Sequence, residues 1–130
     1  MSEPSSEDRI LAGFSHLMII FSWYGTAVAA VIWIVKKDRS VFVKYSVKQA
    51  VAYQIVALII LRIIAFLCGP KVGLAVALKG WPFLPQAVGA VWALVALGLF
   101  LYGVKGAFAA FQGKKFRYAV IGKFVDNILN

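Results

Sequence analysis

Charged residues divide the chain into long apolar stretches. Residues 10–35 carry no formal charge over 26 residues, residues 49–70 carry only Arg62 over 22, and residues 80–104 carry none over 25. A helix needs about 20 apolar residues to cross about 30 Å of hydrocarbon. The pattern therefore predicts an all-α integral membrane protein, a helical bundle with three transmembrane helices near residues 13–35, 47–68 and 86–110.

The first stretch has two interpretations. A hairpin could turn at residues 22–25, but each arm would then have 13 residues, or about 20 Å, which is too short to cross. We prefer one long span that is tilted or kinked. A re-entrant hairpin stays open as the alternative.

Two other segments are predicted to lie at the membrane surfaces. Residues 69–85 include only seven consecutive apolar residues between two lysines, so they form an outer interfacial or re-entrant segment before the third span. Residues 114–130 place their apolar side chains on one helical face and form an amphipathic inner tail. With residues 1–9 as an external tail, the 130 residues make a single membrane domain.

The composition agrees with a membrane protein and its charge predicts an orientation. The chain is 62% hydrophobic and only 15% charged, yet its formal charge is +9. Most bases lie in the loop after the first span and in the C-terminal tail, which predicts that these face the cytoplasm and that the N-terminus is outside. We expect a multi-pass protein of the bacterial inner membrane. Candidate contacts to anionic lipid in these clusters are Lys36, Lys37, Arg39, Lys114, Lys115 and Arg117.

Four polar residues fall within or beside the predicted spans. They are Arg62, His16, Gln54 and Lys105. Arg62 could act in a pore or a substrate path, but it lies about 9 Å from the outer end of its helix and could reach the phospholipid headgroups instead. His16 and Gln54 suit hydrogen bonds between helices better than proton transfer or ligand binding.

Small residues at four-residue spacing predict close helix packing. The pairs are Gly25 with Ala29, Gly89 with Ala93, and Gly106 with Ala110. Such pairs let the backbones of membrane helices approach closely. They fit a compact bundle or contact with another subunit.

Several functional classes lack their usual residues in this sequence. One histidine and one cysteine, far from any carboxylate, predict no metal site and no cofactor. The five acidic residues form no catalytic pair, and no glycine-rich phosphate loop occurs, so we expect no enzyme and identify no small-molecule substrate. Nothing resembles a nucleic-acid-binding module.

Three local patterns resemble the small bacterial Tic-twenty-like membrane proteins, a family of unknown function. They are SEDRILAGFSHL from Ser6, WIVKKDRSVFVKYSVKQAVAYQ from Trp33 and AFQGKKFRYAVIGKF from Ala110. The resemblance implies a membrane protein of three to four helices, distantly similar to a component of the chloroplast inner-envelope import channel. It implies no demonstrated activity.

These observations lead to two hypotheses about function. The first is a small structural or accessory subunit of a larger inner-membrane assembly, which contacts the lipid bilayer and either other membrane subunits or further copies of itself. The alternative is a Tic-twenty-like translocation or channel component that acts as an oligomer. It follows from the resemblance and from Arg62 as a possible pore residue.

Overall fold

The structure, a computed structural model, is 84% helical and contains no strand among the residues it describes. Its helices are α1, α2, α3, α4 and α5, with one 3-10 turn between α1 and α2. Their bounds are Ser6–Leu17 for α1, Met18–Phe21 for the 3-10 turn, Ser22–Lys36 for α2, Val41–Leu67 for α3, Leu84–Phe111 for α4 and Ile121–Ile128 for α5. The described residues are 3–36, 38, 40–67, 69, 74–76, 78–81 and 83–128.

Three segments are long and apolar enough to cross a membrane. They contain 31, 27 and 28 residues and correspond to residues 6–36, α3 and α4. The predicted all-α membrane fold is thus confirmed. Between α3 and α4, residues 74–76 and 78 are helical, and the side chains of Leu74 and Leu78 are exposed.

The first of these segments folds back on itself. Ser22 begins α2 with a φ of 54°, which reverses the chain after the 3-10 turn. Glu7 Oε1 and Lys36 Nζ form an ion pair 3.3 Å apart, although a straight helix would hold their backbones about 43 Å apart. Helices α1 and α2 therefore form a hairpin. The structure differs here from the single tilted or kinked span at 13–35 that the sequence favours.

Close packing at the turn explains the hairpin. Gly25 lies so near the carbonyl of Met18 that a Cβ at this position would collide with it. The 12 residues of α1 and the 15 of α2 make helices of about 18 and 22 Å, too short to cross alone. Such an element is tolerated at membrane depth where it is buried against other helices. Because the hairpin starts and ends at one end of the bundle, the length criterion for a single crossing does not describe it.

The hairpin brings both chain termini to one end of the bundle. Helix α1 runs antiparallel to α4, with Gly13 beside Phe111 and Gly103 beside Ile19. At the same end, a Cβ at Gly113 would lie 3.0 Å from Arg9 Nε. We call this the termini end, formed by residues 3–9, 36, 38, 40–41 and 111–121. The opposite end, beyond residue 62 of α3 and before residue 92 of α4, is the far end. The structure thus brings residues near both termini to one end of the bundle, whereas the sequence predicts termini on opposite sides of the membrane; the side that each terminus faces stays a prediction.

Small side chains make the contacts between helices, and large apolar ones point outward. Ala12, Ala29, Ala50 and Ala110 have no exposed surface, whereas Phe66 is 85% exposed. This distribution suits a solvent of hydrocarbon, in which helices associate through close backbone approach. The outward apolar side chains contact lipid.

Candidate functional site

A buried aromatic cluster joins the C-terminal stretch to three helices. Its members are His16 of α1, Tyr53 of α3, Tyr102 of α4, and Phe116 and Tyr118 from the stretch after α4. Tyr118 is only 1% exposed and is the largest fully buried side chain described. The aromatic cluster is thus the main tertiary contact of the C-terminal stretch.

The rings of the aromatic cluster pack in defined geometries. Tyr118 stacks on Tyr53 with centroids 4.0 Å apart and planes 4° from parallel. Tyr102 lies beside this stack, nearly perpendicular to both rings, with its centroid 5.2 Å from that of Tyr118 and 5.7 Å from that of Tyr53. Stacked and edge-to-face pairs each contribute about 0.5–1.5 kcal/mol beyond the area they bury. The cluster therefore stabilises one position of the C-terminal stretch.

Each tyrosine hydroxyl of the cluster has a hydrogen-bond partner. Tyr118 Oη lies 2.8 Å from His16 Nδ1, and which of the two donates depends on the histidine tautomer. Tyr53 donates to the carbonyl of Leu99 at 2.6 Å, and Tyr102 accepts from the backbone N–H of Ala119 at 3.0 Å. Burial raises the pKa of Tyr118 well above its ordinary value, with smaller contributions from Tyr53 and Tyr102, so its hydroxyl stays neutral.

Gly106 lets α4 lie directly on the bond between His16 and Tyr118. A Cβ at this position would be 2.8 Å from Tyr118 Oη and 3.0 Å from His16 Nδ1. Ala110 lies one turn further along α4 and is fully buried. The Gly106 and Ala110 pair, predicted from spacing, thus faces the interior beside the aromatic cluster.

The other predicted small pairs differ in position. Gly25 and Ala29 of α2 are buried. Gly89 and Ala93 of α4 are exposed, and a Cβ at Gly89 would meet no atom within 4 Å. Within this chain the second pair packs against no other described element.

Gln54 makes a second buried link between helices. Its Nε2 donates to the carbonyl of Ser15 at 2.6 Å, which ties α3 to α1 one residue before His16. Gln54 Oε1 and His16 Nε2 are buried, and neither has a hydrogen-bond partner among the described residues. Both predicted span residues thus lie in the interior, within one polar layer.

A third polar link holds α5 against α3. Gln49 Nε2 donates to Asp126 Oδ1 at 3.1 Å, and Arg117 Nη2 lies 2.9 Å from Asp126 Oδ2. The C-terminal tail, predicted from its amphipathic pattern to lie on a leaflet, therefore packs against the bundle through Asp126. Gly122 and Val125 of α5 are buried in the same contact.

Arg62 is separate from these buried links. It is exposed on α3 and borders a cleft of about 620 Å³ between the hairpin turn, α3 and α4. Trp92 of α4 also borders this cleft and donates from Nε1 to the carbonyl of Leu61 at 3.3 Å. Lys105, the other predicted span base, is exposed near the termini end of α4.

The predicted lipid-contacting bases gather at the termini end. Lys114, Lys115 and Arg117 are exposed, and Lys36 pairs with Glu7. Lys115 Nζ also lies 5.5 Å from the ring centre of Tyr45. Lys37 and Arg39 lie outside the described residues. The described members thus form one basic surface around the two chain ends.

Among the described residues no group of three or more His, Cys, Asp or Glu side chains is placed to hold a metal ion. The described acidic side chains, Glu3, Glu7, Asp8, Asp38 and Asp126, all belong to the termini end or to α5 beside it. The polar interior described above links helices to one another.

Comparison with known proteins decides the family. Residues 7–125 match the model of the MamF/MmsF family, described as the magnetosome magnetite crystal formation protein family. The chain belongs to this family. No curated protein and no solved structure matches the chain.

Membership in the MamF/MmsF family corrects the earlier resemblance. The matched range covers all three patterns that suggested the Tic-twenty-like proteins except Ser6, the first residue of the first pattern, so that assignment is wrong. Those patterns consist of a polar helix start, a basic loop and a basic tail, which follow from membrane topology as much as from ancestry. A channel role that rested on the resemblance has no support in the match.

Sequence reasoning missed most of the aromatic cluster in this MamF/MmsF member. Tyr53, Tyr102 and Tyr118 are far apart in the chain and follow no local spacing. Gln49 and Asp126, separated by 77 residues, were missed for the same reason. The one usable signal was polarity: tyrosines and glutamines on otherwise apolar helix faces need partners when buried.

Proposed function

We propose that this chain is a small structural or accessory subunit of the membrane machinery that forms magnetite crystals in the magnetosome. The family match over residues 7–125 carries the proposal. The architecture supports it, because the buried side chains of Gln49, Tyr53 and Gln54 bond α3 to three other helices. Such links stabilise one arrangement of the bundle, as a scaffold requires.

We place the protein in the magnetosome membrane, with the termini end toward the cytoplasm. Nine of the eleven described bases belong to the termini end or to the helical turns and tail leading from it, and only Arg62 and Lys79 belong to the far-end half. The positive-inside rule assigns the more basic side to the cytoplasm. Location in the bacterial inner membrane, expected from the sequence, stays a prediction. The hairpin supports the proposal that both termini lie on one side of the membrane.

The proposed role is not catalytic and needs no cofactor. The exposed face of α4 that carries Gly89 and Ala93 offers close approach to a helix of another membrane subunit or of a second copy. The basic surface at the termini end favours anionic lipid. Nucleic acid and a small-molecule substrate are not part of the proposal.

A gene replacement in a magnetite-forming bacterium tests this function. Cells that lack the protein are expected to form crystals of altered number, size or shape in electron micrographs. Re-expression of the wild-type chain should restore them, and Tyr118→Ala, which removes the largest buried ring, should restore them poorly. A matched control, Leu94→Ala on the exposed face of α4, should restore them fully.

Purification in mild detergent tests the accessory role separately. We expect the wild-type chain to co-purify with larger membrane proteins of the crystal-forming compartment. Normal crystals in the deletion strain would contradict a role in crystal formation. A stable lone monomer in native mass spectrometry, together with altered crystals, would contradict only the subunit role.

A further inference from the structure

The cleft beside Arg62 exists because the hairpin is shorter than its neighbours. Helices α3 and α4 have 27 and 28 residues, or about 40 Å each, whereas α1 and α2 reach only about 18 and 22 Å. The hairpin turn therefore forms the floor of the cleft through Ile19, Ile20 and Ser22. Beyond this floor, no described part of the hairpin covers α3 and α4.

The walls of the cleft are apolar apart from two groups. The lining from α3 and α4 consists of alanine, leucine, phenylalanine and tryptophan side chains together with Arg62, and Ser22 is the other polar residue. Its volume of about 620 Å³ falls within the range of about 300–1,000 Å³ that is usual for small-molecule sites. Inside a bilayer, an apolar space of this kind suits a hydrocarbon chain better than water.

The charge at the cleft selects a ligand with an anionic group. Among the described residues no acidic side chain forms an ion pair with Arg62, and the acids lie at the termini end or in α5. Arg62 is five residues, or about 7.5 Å, from the end of α3 at Leu67, a depth that its long side chain can bridge to the lipid phosphates. A guanidinium binds phosphate through two parallel hydrogen bonds.

The hydrogen bond between Trp92 and Leu61 joins the two walls of the cleft beside Arg62. Indole Nε1 of α4 donates across to a carbonyl of α3 one residue before Arg62, and the indole ring lines the cleft. Both walls are thus tied at the level of the charge. A chain that enters beside Arg62 would run down between α3 and α4 toward the hairpin turn.

We propose that this cleft binds one glycerophospholipid from the leaflet at the far end, with its phosphate paired to Arg62 and one acyl chain lying in the cleft down to Ile19 and Ile20. This site is distinct from the basic surface at the termini end. It gives Arg62 a defined ligand rather than general contact with headgroups.

Native mass spectrometry of the delipidated full chain in mild detergent tests the site. On titration with phosphatidylglycerol, the wild-type protein is expected to retain a single phospholipid. Arg62→Gln should require about tenfold more lipid for the same occupancy, as expected when a charge-assisted pair is lost. Ala96→Phe, which fills the cleft from α4, should lower the occupancy to a similar extent.

Matched probes and a matched variant identify what is recognised. Lys105→Gln removes a base from the other half of α4 and should bind phosphatidylglycerol like wild type. Diacylglycerol, which has the same chains without phosphate, should bind about tenfold more weakly and equally to wild type and Arg62→Gln. Inorganic phosphate at the same concentration should not displace the lipid.

Two results would overturn the proposal. One is unchanged phosphatidylglycerol occupancy in Arg62→Gln, whose exposed side chain can be replaced without affecting the interior. The other is a dimer that forms in place of the single lipid adduct, because a second copy would then occupy the cleft. Circular dichroism of each variant checks that its helices have formed, and Arg62→Gln alone decides the outcome if Ala96→Phe does not fold.

Discussion

The two ends of the bundle are built differently. In the half of the bundle next to the termini end, α1, α2, α3 and α4 pack together with the stretch after α4. Buried polar side chains bond α3 to α1, α4 and α5, and α1 to the stretch after α4. Toward the far end, α3 and α4 continue past the hairpin turn, and the described link between them at this level is the bond from Trp92 to Leu61. The described buried residues of α3 extend only as far as Leu58.

This difference separates two ways of stabilising a membrane protein. In the half next to the termini end, hydrogen bonds and ring stacking select one arrangement, and the buried groups that are bonded, such as Tyr118 and Gln54 Nε2, depend on their partners. Toward the far end, apolar side chains face lipid and little in the described chain constrains their packing. Substitutions should therefore be costly at the first end and mild at the second.

The largest expected effect is the side of the membrane from which single cysteines can be labelled. With Cys68 replaced by serine, single cysteines at Ser5 and Lys115 should react with an impermeant maleimide from the same side, because the hairpin returns the chain to its starting surface. A cysteine at Lys79 should react only from the other side. Labelling of cysteines at positions 5 and 79 from the same side would show that residues 6–36 cross the membrane once. The termini end and the far end would then no longer differ as described.

Tyr118→Ala should be the most destabilising of the single substitutions considered. Loss of a large buried ring costs about 3–5 kcal/mol and leaves His16 Nδ1 without its partner. The measurement is the unfolding midpoint in detergent. Leu94→Ala, on a side chain that is 68% exposed, is the control and should change stability by less than about 0.5 kcal/mol. Equal losses of stability in Tyr118→Ala and Leu94→Ala would mean that the aromatic cluster and the exposed face of α4 do not differ in their contribution to stability.

Two glycines of one helix allow a direct comparison. Gly106→Ala should destabilise by about 1–3 kcal/mol, because its Cβ would press on Tyr118 and His16. Gly89→Ala meets nothing within 4 Å and should be neutral or slightly stabilising, by up to about 1 kcal/mol. Thermal unfolding of both variants measures the contrast. A loss at Gly89 would instead reveal that this face is covered by a partner.

The smallest effect is expected at the surface of the termini end. Arg117→Gln breaks an ion pair in which the arginine side chain is 50% exposed, so the loss should be at most about 1 kcal/mol. The difference in unfolding free energy between wild type and Arg117→Gln should shrink as the salt concentration rises, since salt screens exposed ion pairs. Unfolding midpoints at low and high salt measure this. A loss above 2 kcal/mol would place Arg117 among the essential buried contacts.

Hydropathy predicted the helices of this protein but not how they meet. The end of α3 and both ends of α4 lie within two residues of the predicted bounds, whereas α3 begins at Val41, six residues before the predicted start, and runs through Lys44 and Lys48. The hairpin was only the alternative interpretation of residues 10–35, because a length rule for crossing says nothing about a segment that folds back on itself. Ser22 and Gly25 mark the turn of the hairpin, but the role of Gly25 becomes clear only from its contact with the carbonyl of Met18 in the structure.

The candidate site was predictable only in part. His16 and Gln54 were singled out because polar groups in apolar helices need partners, and the structure places both inside the bundle. Their partners were not predictable, since Tyr118 lies 102 residues from His16 in a tail that looked amphipathic. Contacts over such separations depend on the three-dimensional path of the chain and leave no local periodicity.

The bond between His16 and Tyr118 also constrains the order of biogenesis. Helix α1 is too short to be held across a bilayer by itself, and the ribosome makes Tyr118 102 residues after His16. The bond between them can therefore form only after α3 and α4, which lie between the two residues in the sequence, have been synthesised. Until then the hairpin lacks the contact that His16 makes with the C-terminal stretch.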